Sequence, residues 1–370
     1  MSYLKFEKTL MTNLEESLPK ELLRTNRSGA YSCSTVVECN TRKYHGLLVV
    51  PVPELDDENH VLLSSLDVTV IQHGAEFNLG LHKYQGNNFS PKGHKYIREF
   101  DCDKVPTTLY RVGGVILKRE VVFQHYEDRI LIRYTLVDAH SATTLRFRPF
   151  LAFRSVRQFT HENSVASREY FQVDNGIKTC MYAGYPDLYM QFSKKNEFHF
   201  VPDWYRGVEY PKEQERGYTS NEDLYVPGYF EMNIKKGDVI RIHFDMPVRT
   251  VVANAKVADD KGKVAVERGP LVYCAEAVDN QNEPVLRAVM AKKPAFSLVD
   301  NYSIQNTETK GAPAFSVKAI KTDAQILEEG ANGVSVKNNV LTLIPYYAWN
   351  HRGANQMNVW FYQNLSVLDK

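Results

Sequence analysis

Apolar and polar residues alternate in short segments along most of this chain, and few stretches have the spacing of a helix. Ile130, Ile132, Tyr134 and Leu136 recur at every second position, with mostly polar residues between them. A period of two places alternate side chains on one face of a β-strand. The pattern therefore predicts a strand with one largely apolar face.

Three longer segments extend this pattern. The segment STVVECNTRKYHGLLVVPV contains two apolar runs around a polar turn. The segment GGVILKREVVFQHYEDRILIRYTLVDA contains two longer runs around Glu127 and Asp128, and TTLRFRPFLAFRSV follows in the same style. Many strands without intervening helices predict antiparallel sheets packed as a sandwich, so the predicted fold class is all-β. The best helix candidate is Met11 to Leu23, which Pro19 interrupts.

The composition changes near residue 240 and divides the chain. The part before it is rich in aromatic residues and arginine, whereas smaller residues follow in AKVADDKGKVAVERGPLVYCAEAVDN. A chain of 370 residues is long enough for two domains. We predict a large antiparallel β-sandwich over residues 1–240 and a smaller, incomplete β-sandwich-like domain over residues 241–370. The boundary is expected within IKKGDVIRIHFDMP.

Charge and cysteine content exclude several classes of function. The 45 basic and 44 acidic residues give a formal net charge of +1, so no overall field attracts nucleic acid or an anionic membrane. The five cysteines form no C-x-x-C pair, and neither a secretory signal nor a long apolar run is visible. Glycine motifs for phosphate or dinucleotides are also missing. We predict a cytoplasmic protein with no metal, no cofactor, no nucleic acid partner and no membrane association.

Two motifs lie close together near the amino terminus. They are T-N-x-x-G-x-Y from Thr25 to Tyr31 and N-T-R-K-Y-H-G-L-L from Asn40 to Leu48. With LLSSLD, RVGGVILKREVVF and RPFLAFR further along, they resemble the amino-terminal domain of bacterial and archaeal glycogen debranching enzymes of the amylo-α-1,6-glucosidase type. The resemblance covers about residues 1–235. It implies a large β-sandwich, which in that family precedes an (α/α)6 barrel carrying the glucosidase carboxylates.

The remaining residues resemble a different family. GPLVYC followed by E-x-x-D-N, and IPYYAW followed by N-x-R-G, are similar to the carboxy-terminal β-sandwich region of β-L-arabinofuranosidases of the DUF1680 type. This resemblance covers about residues 240–365. In that family the catalytic and zinc-binding cysteines lie upstream of these motifs, so Cys274 in GPLVYC implies no zinc site. Together the two resemblances imply accessory regions of two glycoside hydrolases joined in one chain.

Acidic residues are the candidates for glycosidic-bond hydrolysis, which needs one protonated and one ionised carboxyl group. Two acidic clusters are Glu54, Asp56, Asp57 and Glu58, then Asp101 and Asp103. The first cluster lies in the proline-flanked segment PVPELDDENH, which is more typical of a solvated loop than of a buried catalytic pair. We therefore predict no catalytic residues.

Arg42, Tyr44 and His45 in the RKYHG segment are the first candidates for carbohydrate binding. His45 stands where a strand would begin, and a histidine there more often has a structural role in the turn. In the functional alternative, which only the resemblance to debranching enzymes supports, Arg42 and His45 hydrogen-bond sugar hydroxyls at the edge of a partner barrel.

Residues 198–230 contain nine aromatic residues, well above the 12% average of the chain. The prolines and glycines among them indicate a loop. Aromatic rings in exposed loops stack on sugar rings, so Trp204, Tyr205 and Tyr210 are the other carbohydrate-binding candidates. In the alternative, the loop folds onto the sandwich and its rings serve as core.

Three functions remain open. The leading hypothesis is a non-catalytic, carbohydrate-associated β-sandwich protein related to glycogen debranching, which binds an α-glucan or another oligosaccharide and lacks the catalytic barrel. One alternative is an amylo-α-1,6-glucosidase that is active by itself or with a partner barrel. The other is an interaction module from a gene fusion, for which we expect an exposed hydrophobic patch and self-association. The sequence leaves the oligomeric state open.

Overall fold

A computed structural model describes most of the chain as two compact units. The described residues are 4–27, 29–53, 55–125, 127–245, 248–253, 256–268, 271–282, 284–286, 288–291, 294–299, 314–321, 338–350 and 352–363. Unit 1 extends over Met1–Met246 and unit 2 over Pro247–Lys370. β-Strands dominate both units, so the predicted all-β fold class is confirmed.

Unit 1 consists mainly of two large sheets. Its described strands are β1 (Leu4–Glu7), β2 (Glu21–Thr25), β3 (Tyr31–Thr35), β4 (Gly46–Pro51), β5 (Asn59–Gln72), β6 (Ala75–Asn78), β7 (Leu81–Tyr84), β8 (Asn88–Lys92), β9 (Ile97–Cys102), β10 (Pro106–Val112), β11 (Val115–Phe123), β12 (Ile130–Asp138), β13 (Thr143–Ser155), β14 (Tyr170–Val173), β15 (Gly176–Thr179), β16 (Leu188–Phe192), β17 (Glu197–Glu209), β18 (Asn221–Ile234) and β19 (Val239–Asp245). One sheet has the order β1-β9-β10-β11-β12-β19-β16-β15-β14. The other has the order β2-β3-β4-β5-β13-β18-β17-β7-β8, and β6 pairs with β5.

Helices are short in the described residues. The helix predicted over Met11 to Leu23 is partly wrong: α1 (Lys8–Thr12) and α2 (Leu14–Ser17) end before Pro19, and strand β2 follows. Proline cannot donate a backbone hydrogen bond within a helix, which accounts for the early end. The third helix, α3 (Pro211–Glu215), joins β17 to β18. No helix in the described parts of the chain is long and apolar enough to cross a membrane.

Strand β12 shows how the sequence pattern builds these sheets. Ile130, Ile132, Tyr134 and Leu136 are all buried, while the residues between them retain exposed surface. The strand pairs antiparallel with β11 on one side and β19 on the other. Removing its apolar face from water stabilises the sandwich. The predicted turn at Glu127–Asp128 is confirmed, because it separates β11 from β12.

The main core lies between the two sheets, and a smaller cluster covers the opposite face of the ten-stranded sheet. Along β13, Leu151 and Phe153 belong to the main core. Phe150 and Ala152 alternate with them and belong to the smaller cluster. Successive side chains of a strand point to opposite faces, so both faces of this sheet are packed.

The segment 198–230 is not a loop, and that prediction is wrong. Strands β17 and β18 occupy most of it and pair antiparallel. Two register shifts accommodate the residues that usually interrupt strands. Pro202 lies at the shift between Phe200 and Asp203, and Gly207 lies at the shift between Tyr205 and Val208. Gly228 is required in β18, because a Cβ atom there would lie 2.0 Å from the carbonyl oxygen of His199.

Unit 2 contains a second, smaller set of strands. Those described are β20 (Arg249–Val252), β21 (Lys263–Arg268), β22 (Leu271–Glu276), β23 (Ala288–Met290), β24 (Phe296–Val299), β25 (Ala314–Lys321), β26 (Asn338–Pro345), β27 (Met357–Asn358) and β28 (Phe361–Gln363). Their order is β20-β21-β28-β23-β25-β26-β22-β27, with β24 on β25 and a further pairing between β21 and β22. Tyr273, Leu343 and Phe361 are fully buried in this unit.

Candidate functional site

His45 is buried inside the turn that connects β3 to β4. Its Nδ1 accepts a hydrogen bond from the Thr41 main-chain N–H at 3.1 Å, and no part of the ring is exposed. Nε2 lies 3.6 Å from Glu21 Oε1, but that oxygen already accepts a 2.6 Å hydrogen bond from Arg42. Burial lowers the pKa of His45 to about 4, so the ring is neutral at neutral pH. This position supports the structural role expected for a histidine in a turn.

A buried ion pair also holds this turn. Arg154 pairs with Glu222, and its Nη1 donates a 2.7 Å hydrogen bond to the Lys43 carbonyl. The Tyr210 hydroxyl donates to Glu222 as well, and burial raises the pKa of Tyr210 well above its ordinary value. Glu213 of α3 accepts from the Lys43 main-chain N–H at 3.3 Å. Tyr210 is therefore part of the scaffold that fixes the turn.

Trp204 and Tyr205 lie on opposite faces of the ten-stranded sheet. Trp204 is only 4% exposed and packs in the main core, with its ring centroid 5.4 Å from that of Tyr225. Tyr205 packs against the smaller cluster, with its ring 4.8 Å from Phe150, and retains some exposed surface. The aromatic enrichment of this segment thus supplies core residues on two faces.

Tyr44 lines an open groove beside β2 and β3. The groove has a volume of about 370 Å³ and is lined by Leu23, Thr25, Arg27, Gly29, Ala30, Tyr31, Cys33 and Tyr44. Ligand pockets usually measure about 300–1,000 Å³, so this volume suits a sugar unit. The Tyr31 hydroxyl donates to the Tyr44 carbonyl at 2.9 Å, which ties the two aromatic walls together.

Arginine side chains flank this groove. The Arg42 guanidinium lies 5.7 Å from the centroid of the Tyr44 ring. Arg27, at φ +68° in the turn between β2 and β3, lines the groove itself and is exposed. Arg42 and Tyr44 are among the residues predicted from the sequence, whereas Tyr31 and Leu23 are not, although Tyr31 closes the T-N-x-x-G-x-Y motif. The structure therefore brings together two of the predicted residues and adds two more.

A small cavity with charged residues in its walls lies between the two sheets of unit 1. Its volume is about 80 Å³, and its walls include Glu38, Asp67, Arg119, Tyr110 and Tyr134. Glu38 pairs with Arg119, whose Nε donates a 3.0 Å hydrogen bond to the Tyr134 hydroxyl. Burial raises the pKa of Glu38, and Arg119 partly offsets that effect. No sequence motif indicates this cavity, because its lining residues come from many separated segments of the chain.

Asp67 is the second carboxylate on the wall of this cavity. Both of its oxygens lie 3.0 Å from His82 Nε2, and both side chains are buried. A Cβ atom at Gly80 would lie 2.1 Å from an Asp67 oxygen, so a side chain there would displace the Asp67 carboxylate. The two interior acids thus have partners in Arg119 and His82.

The acidic loop that the sequence singled out is held by neighbouring side chains. Asp56 accepts a 2.9 Å hydrogen bond from His60, which lowers the pKa of Asp56. Glu58 pairs with Arg157 at 2.6 Å. Glu54 lies outside the described residues. Asp56 and Glu58 are thus surface groups with structural contacts.

The cysteine thiols are dispersed through both units. Cys33, Cys39, Cys102 and Cys274 are buried, and Cys180 is partly exposed. Burial raises the pKa of Cys33 to about 11 and that of Cys39 to about 12, so both thiols stay protonated at neutral pH. Within the described ranges, no group of three or more His, Cys, Asp or Glu residues is placed to hold a metal ion.

Comparison with known proteins relates the chain to glycoside hydrolases. A curated non-reducing end β-L-arabinofuranosidase from Bifidobacterium longum subsp. longum is 28% identical over 236 residues, which are 61% of this chain and 34% of that protein. The chain thus spans about a third of the length of that relative.

Two solved structures are also similar. One is a glycoside hydrolase family 127 β-L-arabinofuranosidase from Geobacillus stearothermophilus T6, with 18% identity and a TM-score of 0.32 over 70% of this chain and 32% of that chain. The other is a family 127 β-arabinofuranosidase, with 24% identity and a TM-score of 0.33 over 70% of this chain and 34% of that chain.

Two family descriptions match consecutive parts of the sequence. Residues 20–241 match the glycogen debranching enzyme N-terminal family, and residues 248–362 match the glycoside hydrolase family 127 C-terminal domain. The first match covers more than half of the chain, and both agree with the resemblances that the motifs carry. The chain therefore belongs to the glycogen debranching enzyme N-terminal family and continues into a glycoside hydrolase family 127 C-terminal domain.

Proposed function

We propose that this chain is a non-catalytic, carbohydrate-associated component of a glycoside hydrolase system and that unit 1 binds an α-glucan. The observation that carries the proposal is the groove with Tyr31 and Tyr44 as aromatic walls and arginines beside it. Aromatic rings bind the apolar face of a sugar, while guanidinium groups donate hydrogen bonds to its hydroxyls. The family match to glycogen debranching enzymes favours an α-glucan as the ligand.

The positions of the acidic groups support a non-catalytic role. Hydrolysis needs two carboxyl groups on either side of the glycosidic bond. The described residues lining the groove include no Asp or Glu. The interior acids Glu38 and Asp67 line a cavity of about 80 Å³, well below the usual volume of a ligand pocket. We therefore expect the hydrolytic carboxylates to come from a glycoside hydrolase barrel, which we propose as the partner of this sandwich.

The proposed cellular setting is the cytoplasm. All five cysteines are free thiols, and a reducing compartment keeps thiols in this state. A glucan-binding sandwich would there meet storage polysaccharide directly.

Electrophoresis of the full chain in native gels with and without glycogen tests the glucan-binding proposal. Tyr44→Ala removes one wall of the groove but keeps the main-chain carbonyl that accepts from Tyr31. We expect glycogen to retard the wild type. The retardation of Tyr44→Ala should be at least about fivefold smaller.

The matched control is Tyr218→Ala, which removes a tyrosine that is 54% exposed and lies outside the groove. This variant should be retarded like the wild type. Equal retardation of Tyr44→Ala and the wild type would exclude the groove as the glucan site, and an unretarded wild type would exclude glycogen binding.

A further inference from the structure

A pair of stacked aromatic rings projects from a turn that follows β26 in unit 2. Tyr346 begins a 3₁₀ turn that ends at Ala348, and Trp349 comes next. The two ring centroids are 6.0 Å apart, with an angle of 28° between the ring planes. Trp349 is half-buried against a small cluster that includes Ile344, whereas Tyr346 is 43% exposed. The tryptophan therefore anchors an exposed tyrosine at the surface.

The buried carboxylate of Glu276 fixes the segment that follows these rings. It accepts hydrogen bonds from the Asn350 main-chain N–H and from Asn355 Nδ2, both at 3.0 Å. The Arg352 guanidinium pairs with Glu276 and with Asp279. Burial alone would raise the pKa of Glu276, but these hydrogen bonds and Arg352 outweigh it and hold the pKa below its usual value. An ionised carboxylate therefore holds the turn in one conformation.

The backbone of this turn changes direction next to the two rings. Asn350 has φ +64°, a left-handed conformation that turns the chain sharply directly after Trp349. Leaving a large ring such as Tyr346 in water forgoes the stabilisation that its burial would supply. A turn that is held by these hydrogen bonds and leaves the Tyr346 ring in water is pre-organised as a binding surface, because little conformational entropy is lost when a ligand docks.

We infer that Tyr346 and Trp349 form a sugar-binding platform in unit 2. The exposed ring of Tyr346, backed by Trp349, contacts the apolar C–H face of a sugar, and the adjacent exposed Asn350 supplies a polar group for its hydroxyls. This inference rests on the carbohydrate association proposed above and adds a second site that is separate from the groove in unit 1. Pyranose and furanose rings share this C–H chemistry, so both kinds of polymer must be compared.

Native gels of the full chain containing glycogen, branched arabinan or no polymer test the platform. Glycogen presents pyranose units and arabinan presents furanose units. Tyr346→Ala removes the exposed ring and leaves the Trp349 anchor in place. In at least one polymer, we expect the retardation of Tyr346→Ala to be about fivefold to tenfold smaller than that of the wild type. The control is Phe171→Ala, which removes a 56% exposed ring in unit 1 and should behave like the wild type.

The outcomes separate the platform from the groove. Retardation that Tyr44→Ala abolishes and Tyr346→Ala leaves intact would overturn the platform while the proposed function stands. The reverse result would support the platform and exclude the groove as a glucan-binding site. A wild type that neither polymer retards, or an equal loss in Phe171→Ala, would overturn the platform. Circular dichroism of each variant verifies that a lost interaction does not reflect unfolding.

Discussion

His45 is a buried base whose protonation opposes folding of unit 1. Its pKa is about 4 in the folded chain, against about 6.5 when exposed in the unfolded chain. Between these values the unfolded chain binds more protons, so the free energy of unfolding rises with pH. We expect protonation of His45 to lower the free energy of unfolding by roughly 3 kcal/mol as the pH falls from about 6.5 to about 4.

The variant His45→Asn tests this contribution, because an amide oxygen can still accept from the Thr41 N–H but does not titrate. Urea unfolding at several pH values between 4 and 7 gives the slope for each protein. The variant should show a shallower dependence than the wild type over this range. Parallel slopes would mean that His45 is not the group responsible.

The RKYHG motif shows how far residue-scale prediction could go. The sequence identified the segment and favoured a structural role for His45 in a turn, whereas only the resemblance to debranching enzymes indicated sugar chemistry. It could not show that Arg42 lies at the surface, Tyr44 lines a groove and His45 is buried. Those positions depend on Glu21, which pairs with Arg42, and on Glu213, which lies 170 residues from Lys43 in the chain. Contacts of that range leave no local pattern.

Strand β17 contributes Trp204 to the main core, and this element carries the next prediction. Trp204→Ala removes a large ring that is 4% exposed, so we expect the free energy of unfolding to fall by about 3–5 kcal/mol. Phe200→Ala on the same strand removes a ring that is 43% exposed and should cost less than about 1 kcal/mol. Urea unfolding of both variants gives the comparison. Equal losses would contradict the assignment of Trp204 to the core.

A comparison of β12 with β17 explains why some strands could be predicted from the sequence and others could not. In β12 the apolar residues recur at a strict period of two, and the strand could be predicted from the sequence. In β17 two register shifts interrupt the period, and Pro202 and Gly207 suggest a loop. Those residues are tolerated because the neighbouring strand β18 accommodates the bulges, which is a property of the pairing and not of the segment.

At the scale of the whole molecule, the sequence motifs indicated two families but not the order of the strands. Strand β12 pairs with β19, so Ile132 lies opposite Ile242 across more than a hundred residues of chain. Strand β19 lies within the segment where we expected the domain boundary, and it joins β12 to β16 inside the nine-stranded sheet of unit 1. Such long-range pairings follow from how the sheets pack, so local periodicity alone does not specify them.

Each unit has its own buried residues, and we therefore expect the two units to unfold separately. Leu343 is fully buried in unit 2, so Leu343→Ala should lower the free energy of unfolding of that unit by about 2–5 kcal/mol. The transition of unit 1 should keep its midpoint in this variant, and Trp204→Ala should show the opposite pattern. Differential scanning calorimetry of the wild type and both variants resolves the transitions. A single transition that both variants shift equally would show that the units fold as one cooperative structure.

The strands of unit 1 pair only with other strands of unit 1 in the described residues. A fragment of residues 1–246 should therefore retain the β-sheet circular dichroism and the melting temperature of unit 1. An unfolded fragment would contradict the independence of this unit.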